Sequence, residues 1–225
     1  MIKPFLTILS LTIIGFIGYW GFEKYPFAEE EKKDNQGVEH FQLQNNFQSG
    51  DIIFQTSKSS QSKAIQLATK SKYSHMGIIF EDDEQDFVYE AIQPVKLTPL
   101  RQWIERGEKG HYVIKRLVDA DKILTPKALA KMKQIGEQFK GKNYDLYFEW
   151  SDEKIYCSEL VWKIYKEALD IEIGQLEKLS DFDLSNIIVQ QIMGERYGND
   201  IPLEEKVISP AAMFNSNKLR TIQIE

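Results

Sequence analysis

This sequence holds one thiol and three imidazoles, and a nucleophile with its base would have to come from these. Cys157 stands in KIYCSELVWKIYKEALD, residues 154–170. Cys157, Leu160, Val161, Ile164 and Ala168 recur at helical spacing, which predicts an inward-packing helix with the thiol in or near its first turn. At that end the free N–H groups and the helix dipole favour a thiolate. The same N–H groups can hold a developing oxyanion. The plainer reading is a small buried side chain that caps a core stripe.

His40 lies in a polar segment, and His111 opens a strand after Gly110. His75 lies inside YSHMGIIF, residues 73–80, a β-branched and aromatic run that reads as a strand. Alternation puts His75, Gly77 and Ile79 on one face, and Gly77 leaves room beside the imidazole. DFVYEAI, residues 86–92, reads as the return strand of a hairpin. A tight turn at Asp82-Asp83 would set Glu90 opposite His75, with Cβ atoms about 5 Å apart. A carboxylate there fixes the imidazole tautomer and stabilises an imidazolium. Each member has a plainer role: His75 as a structural hydrogen-bonder, Glu90 as an exposed strand carboxylate. The apolar neighbours Tyr89, Ala91 and Ile92 argue against leaving Glu90 unpaired.

The segment NYDLYFEW, residues 143–150, runs into the cysteine helix and is placed to wall a cleft. There Tyr144 could offer a hydroxyl and Asp145 a carboxylate for a substrate amine; the alternative is a packed connecting loop. Glu159, in the first helical turn, reads as favourable to the dipole and not as a reactive group. The acidic run EDDEQD, residues 81–86, lacks the spaced ligands of a calcium loop. With no H-E-x-x-H, C-x-x-C or P-loop pattern, no metal or cofactor is expected.

Around these residues the coarse pattern is α+β: short strands at 50–55, 73–80, 86–92, 95–98, 111–118 and 219–224, and helices at 99–107, 125–142, 180–193 and 209–216 besides the cysteine helix. At 225 residues and 42% hydrophobic, the chain suits one globular domain with an appendage. A net charge of −6 without a basic stripe speaks against nucleic acid as a partner. A single cysteine excludes an internal disulfide framework. Residues 4–22, PFLTILSLTIIGFIGYWGF, carry no charge and would span about 28 Å as a helix, close to a bilayer core. Residues 1–22 are therefore expected to be a membrane anchor, or a signal segment if cleaved. The polar residues 23–46 follow as a linker, and 47–225 form the folded domain, held outside the cytoplasm.

GDIIF, SHMGIIF, YEAIQPVKLTPLRQW, GKNYDLYFEWSDEKIYCSELVWKIY and ISPAAMFNS together resemble the YiiX/YaeF-like family of permuted papain-like amidases, relatives of the NlpC/P60 cysteine peptidases. The resemblance covers nearly all of 47–225. It implies a circularly permuted papain-like fold, with the cysteine helix packed on a small antiparallel sheet. His75 and Glu90 precede Cys157, the order of the permuted branch. The family's nucleophile, acid/base and orienting carboxylate fall on Cys157, His75 and Glu90. The expected activity is hydrolysis of amide bonds in a peptide or acyl-amide substrate of the cell envelope, such as a peptidoglycan stem peptide. The alternatives are an acyltransferase or lipid-directed thioesterase, and a non-catalytic envelope module that binds a peptide or amino acid. An amine- or carboxylate-binding cleft would favour peptide; an apolar one, lipid.

Overall fold

The structure, a computed structural model, describes residues 46–81 and 85–225. One sheet of six antiparallel strands forms the frame: β1 (Ile52–Ser57), β2 (His75–Phe80), β3 (Phe87–Glu90), β4 (Lys96–Pro99), β5 (Gly107–Leu117) and, after four short strands, β10 (Leu219–Ile224). Their order across the sheet is β10-β5-β1-β2-β3-β4. Of the short strands, β6 (Asn143–Tyr144) runs parallel to β7 (Lys154–Ile155), and β8 (Glu177–Lys178) antiparallel to β9 (Lys206–Val207). The helices are α1 (Ser60–Thr69), α2 (Leu100–Arg106), α3 (Ala120–Ile123), α4 (Pro126–Glu137), α5 (Cys157–Leu169), α6 (Ile187–Tyr197) and α7 (Pro210–Phe214).

The fold is the expected α+β arrangement with α5 packed on the sheet, but α1, α3 and the short strands β6 to β9 were not expected, and the bounds of α4 and α6 differ. Helix α1 was not foreseen, because SQSKAIQLAT is mostly polar. Its local signal is Ser59, which caps it by accepting from the Ser62 N–H at 3.2 Å. Helix α6 starts at Ile187 and not near 180, because Leu179–Asp181 form a 3-10 turn and Asn186 caps the helix.

The β2–β3 hairpin has a longer connection than a tight turn at Asp82-Asp83, which falls on residues outside those described. Its last ladder pairs are Ile78 with Tyr89, Ile79 with Val88 and Phe80 with Phe87. Continuing that register sets Gly77, not His75, opposite Glu90. His75 and Glu90 are diagonal neighbours on one face, still within reach of long side chains. Gly77 makes the diagonal possible. A Cβ there would lie 2.4 Å from Val88 Cγ1 and 2.7 Å from the Tyr89 carbonyl oxygen. Gly77→Ala is therefore expected to lower unfolding stability by about 1–3 kcal/mol through overpacking, read as a lower urea midpoint; an unchanged midpoint would refute the close approach.

Each sheet face has its own cluster. Ile52, Phe54, Met76, Ile78 and Phe80 pack with Leu160, Val161 and Ile164 of α5. These three helix residues are fully buried, and each such side chain contributes about 1.5–3 kcal/mol. On the opposite face Ile53, Ile79, Val88 and Ile114 pack with Leu100 and Trp103 of α2. The expected α5 stripe is buried throughout, yet Ser158, Glu159, Trp162, Lys163 and Tyr165 are buried too. Neighbouring segments close over the helix: Ser158 Oγ donates to the Ile208 carbonyl at 2.7 Å, and Lys163 Nζ to Ser151 O and Asp152 Oδ1, both at 2.7 Å.

Phe47 is the first buried residue of the described chain and packs in the second cluster. The expected anchor at 1–22 and nearly all of the linker at 23–46 lie outside the described residues. Among the described residues no helix is long and apolar enough to cross a membrane.

Candidate active site

Cys157 opens α5, and His75 opens β2. The helix packs on the Met76 face of the sheet, whereas alternation puts His75 on the other. They meet because each stands at the first residue of its element, where the strand ends and the helix begins. The imidazole is close enough to the Cys157 side chain for the two groups to shift each other's charge. His75 Nε2 lies 2.6 Å from Glu90 Oε2. With Nε2 committed to the carboxylate, Nδ1 is the nitrogen left for sulfur. All three are buried: Cys157 is 2% exposed, His75 8% and Glu90 0%.

Three further side chains hold Glu90, and the sequence reading missed them as a set. Oε2 also accepts from Trp103 Nε1 at 2.9 Å. Oε1 accepts from Thr98 Oγ1 at 2.6 Å and from Arg106 Nη2. Both oxygens thus have two donors each, as a buried carboxylate requires. Trp103 also stacks on the imidazole, with centroids 5.8 Å apart and planes at 24°. Trp103 and Arg106 stand three apart on α2, one helical face, and this was the legible signal.

The electrostatics follow. Burial, the largest influence on His75, pushes its pKa down. The Cys157 and Glu90 contacts and charges overrule it and raise the imidazole from 6.5 to about 9. Burial likewise pushes Glu90 up, but His75, Thr98 and the Arg106 charge together hold it below its ordinary 4.5. Glu90 therefore stays ionised and His75 stays protonated across neutral pH.

Of the two other expected site residues, one reaches the thiol's surroundings. Tyr144 lines the same cleft as Cys157. Its hydroxyl accepts from Gln61 Nε2 at 3.2 Å, and its pKa is raised, first by burial and then by the Cys157 charge. Asp145 is 1% exposed and turned away: Oδ1 accepts from the Tyr147 N–H at 2.8 Å and Oδ2 from the Glu149 N–H at 2.6 Å. It holds the 145–149 loop and is not among the residues that line the cleft. Glu159 is also more than a dipole partner: it is fully buried, and its Oε1 lies 2.8 Å from Lys163 Nζ.

The cleft beside Cys157 encloses about 690 Å³ of empty space, part of it open to solvent. Its walls come from α1, the 144–148 loop, α6 and the residues around β9. Ile65, Phe148, Phe182, Val189, Ile192 and Met193 give it a mainly apolar lining. Among the described residues no group of three or more His, Cys, Asp or Glu is placed to hold a metal ion.

The site can be set beside known proteins. A family described as permuted papain-like amidase enzymes, YaeF/YiiX, matches residues 46–223. An uncharacterized protein, YiiX of Escherichia coli, is 50% identical over 178 residues, covering 79% of this chain and 87% of its own length. A crystal structure of YiiX from Escherichia coli, described there as a metalloprotein, is similar with a TM-score of 0.76 at 51% identity. That likeness covers 79% of this chain and 97% of the other.

Proposed function

This chain belongs to the YaeF/YiiX family of permuted papain-like amidases, a family of cysteine hydrolases, and from that premise we propose that it cleaves amides bearing an apolar acyl group, using Cys157, His75 and Glu90. The observation that carries the proposal is Cys157 in the wall of an apolar cleft, beside an imidazole that is bonded on its other side to the buried, ionised Glu90.

In the proposed reaction the Cys157 thiolate attacks the amide carbonyl carbon, and the oxyanion forms near the Cys157 backbone N–H at the start of α5. His75, protonated at Nδ1, gives that proton to the leaving nitrogen as the C–N bond breaks. Amine departs and a thioester remains. The neutral imidazole then takes a proton from water, whose oxygen attacks the thioester; acid is released and the thiolate returns. Glu90 keeps Nε2–H occupied, so that Nδ1 faces the reaction. Tyr144, on the same cleft wall, is placed to touch the substrate.

The lining of the cleft also weighs on the substrate. A peptidoglycan stem peptide calls for an amine-binding group, and Asp145, the candidate, is occupied by loop amides. The apolar walls favour an acyl chain, and acyl transfer to an acceptor other than water is the second reading for the same reason. A binding module without turnover is disfavoured by the His75–Cys157 contact. An envelope location, with residues 4–22 as the anchor, is part of the proposal and rests on sequence alone.

The metalloprotein description belongs to the solved YiiX. Here Nε2 of His75 and both Glu90 oxygens are engaged, which leaves the sulfur and one imidazole nitrogen. A protein-held metal takes three or four donors. This donor set does not fit one, and no step runs through a metal.

The test is the rate of iodoacetamide alkylation of Cys157 against pH. Rapid reaction near pH 6 is expected in the unsubstituted chain, with most of that rate lost in His75→Ala. A slow thiol indifferent to His75 would mean that Cys157 is structural.

A further inference from the structure

We infer that Arg196 forms an anion subsite in the wall of this cleft, so that the preferred ligand joins an apolar chain to a carboxylate or a phosphate. The inference rests on the acyl-amide reading above and narrows its substrate class. Arg196, half-buried in the last turn of α6, is the one cation lining the cleft among the described residues. Among those residues no carboxylate lies within 4.0 Å of it. Asp145 feels its charge from beyond ion-pair distance, and its oxygens accept from the Tyr147 and Glu149 N–H groups.

The guanidinium is held in place without being neutralised. It donates one hydrogen bond within the described residues, from Nη2 to Gln61 Oε1 at 2.8 Å. A guanidinium carries five N–H donors, so four remain. Its carbon lies 5.4 Å from the centroid of the Phe148 ring, a cation–π contact that sets the orientation of the plane. Phe148 is itself held at φ 55°, in the left-handed region that non-glycine residues seldom adopt, with its ring edge-on to Tyr156 at 5.2 Å. Gln61 continues the link from Arg196 to the Tyr144 hydroxyl, beside Cys157.

A charge in an apolar wall is costly unless a counter-charge meets it. The protein supplies none within ion-pair distance, and a ligand can. Arg presents its donors as a planar fork that matches carboxylate or phosphate oxygens, which suits both anions. Arg196 is linked through Gln61 to Tyr144, and all three line the cleft that holds the thiol, so the anion and the reacting group would share one cleft.

The experiment uses the full chain carrying Cys157→Ala, so that ligands bind without turnover. N-decanoylglycine, decyl phosphate and the neutral N-decanoylglycinamide are titrated calorimetrically below their micelle concentrations. At least one anion is expected to bind roughly 10- to 100-fold tighter than the neutral compound, the range for hydrogen bonds to a charged group. The tighter anion identifies carboxylate or phosphate as the source. Adding Arg196→Gln should collapse the anion-to-neutral ratio to within about threefold, and Arg196→Lys should keep part of it. Equal binding of the three ligands, no binding at all, or a ratio that survives Arg196→Gln would overturn the subsite. Glycine release from N-decanoylglycine by the unsubstituted chain is followed separately. Anion preference without Cys157-dependent release would count against the roles proposed for the three residues and leave the subsite standing.

Discussion

Cys157→Ala is expected to reduce amide turnover by at least about 10³-fold, because every proposed step passes through its sulfur and no other thiol exists in the chain. The fold should tolerate the change. The side chain is 2% exposed and loses one heavy atom, at a cost of about 1 kcal/mol, since its neighbours Leu160, Val161 and Ile155 stay in place. Turnover and the thermal midpoint, measured on one preparation, separate the two effects. A variant that keeps its activity would falsify the covalent mechanism outright. A variant that unfolds would instead show that the thiol is mainly structural.

Glu90→Ala is expected to damage both activity and stability, a larger structural effect than a merely orienting carboxylate would have. Glu90 is 0% exposed and accepts from His75, Thr98, Trp103 and Arg106. Removing it leaves a buried imidazolium and an arginine without their counter-charge, a cost of about 3–5 kcal/mol. Glu90→Gln is the milder probe. All four partners are donors, so an amide must set its own NH₂ against two of them, at roughly 1–3 kcal/mol.

The pH dependence carries a sign that can be checked. The folded His75 pKa, about 9, lies above its ordinary 6.5. The stabilisation from its protonated form is therefore complete below 6.5 and is lost as pH rises through about 9. The Glu90 pKa is lowered below 4.5, so its share is present above 4.5 and is lost as pH falls through the lower, folded value. In Glu90→Gln the acid limb set by Glu90 should vanish, and the alkaline limb set by His75 should move to lower pH. Urea unfolding from about pH 2 to about pH 10 reads both limbs. An alkaline limb at the same pH in parent and variant would mean that Glu90 does not support the imidazolium.

Much of this was legible because it depends on local chemistry. The α5 stripe follows from 3.6-residue periodicity, and the helix starts at the residue where the spacing puts the thiol. Alternation in SHMGIIF and FVYE put His75 and Glu90 on one face whatever the turn length, provided the register slipped by an even number of residues. It slipped by two, from a His75–Glu90 pair to Gly77 opposite Glu90, and the face survived. Trp103 and Arg106 were one helical face in plain view, but nothing local said that the face looks at Glu90. Asp145 carried the right charge for a substrate amine, and only the packed 145–149 loop showed that its oxygens hold loop N–H groups away from the cleft lining.

By itself, then, the sequence determined the six main strands and the cysteine helix, the order His75, Glu90, Cys157 along the chain, and the polarity of each strand face. These depend on periodicities of two and 3.6 residues, which neighbours along the chain impose. The tertiary structure alone decided that a helix on one face of the sheet presents its first residue to a histidine on the other, at the end of β2. It alone walled the thiol with α1 and α6, and left Arg196 in that wall with no carboxylate within 4.0 Å among the described residues. Those contacts join residues as far apart as Gln61 and Arg196, 135 positions along the chain. No local propensity encodes such a pair; the packing of α1 and α6 around the common core brings it together.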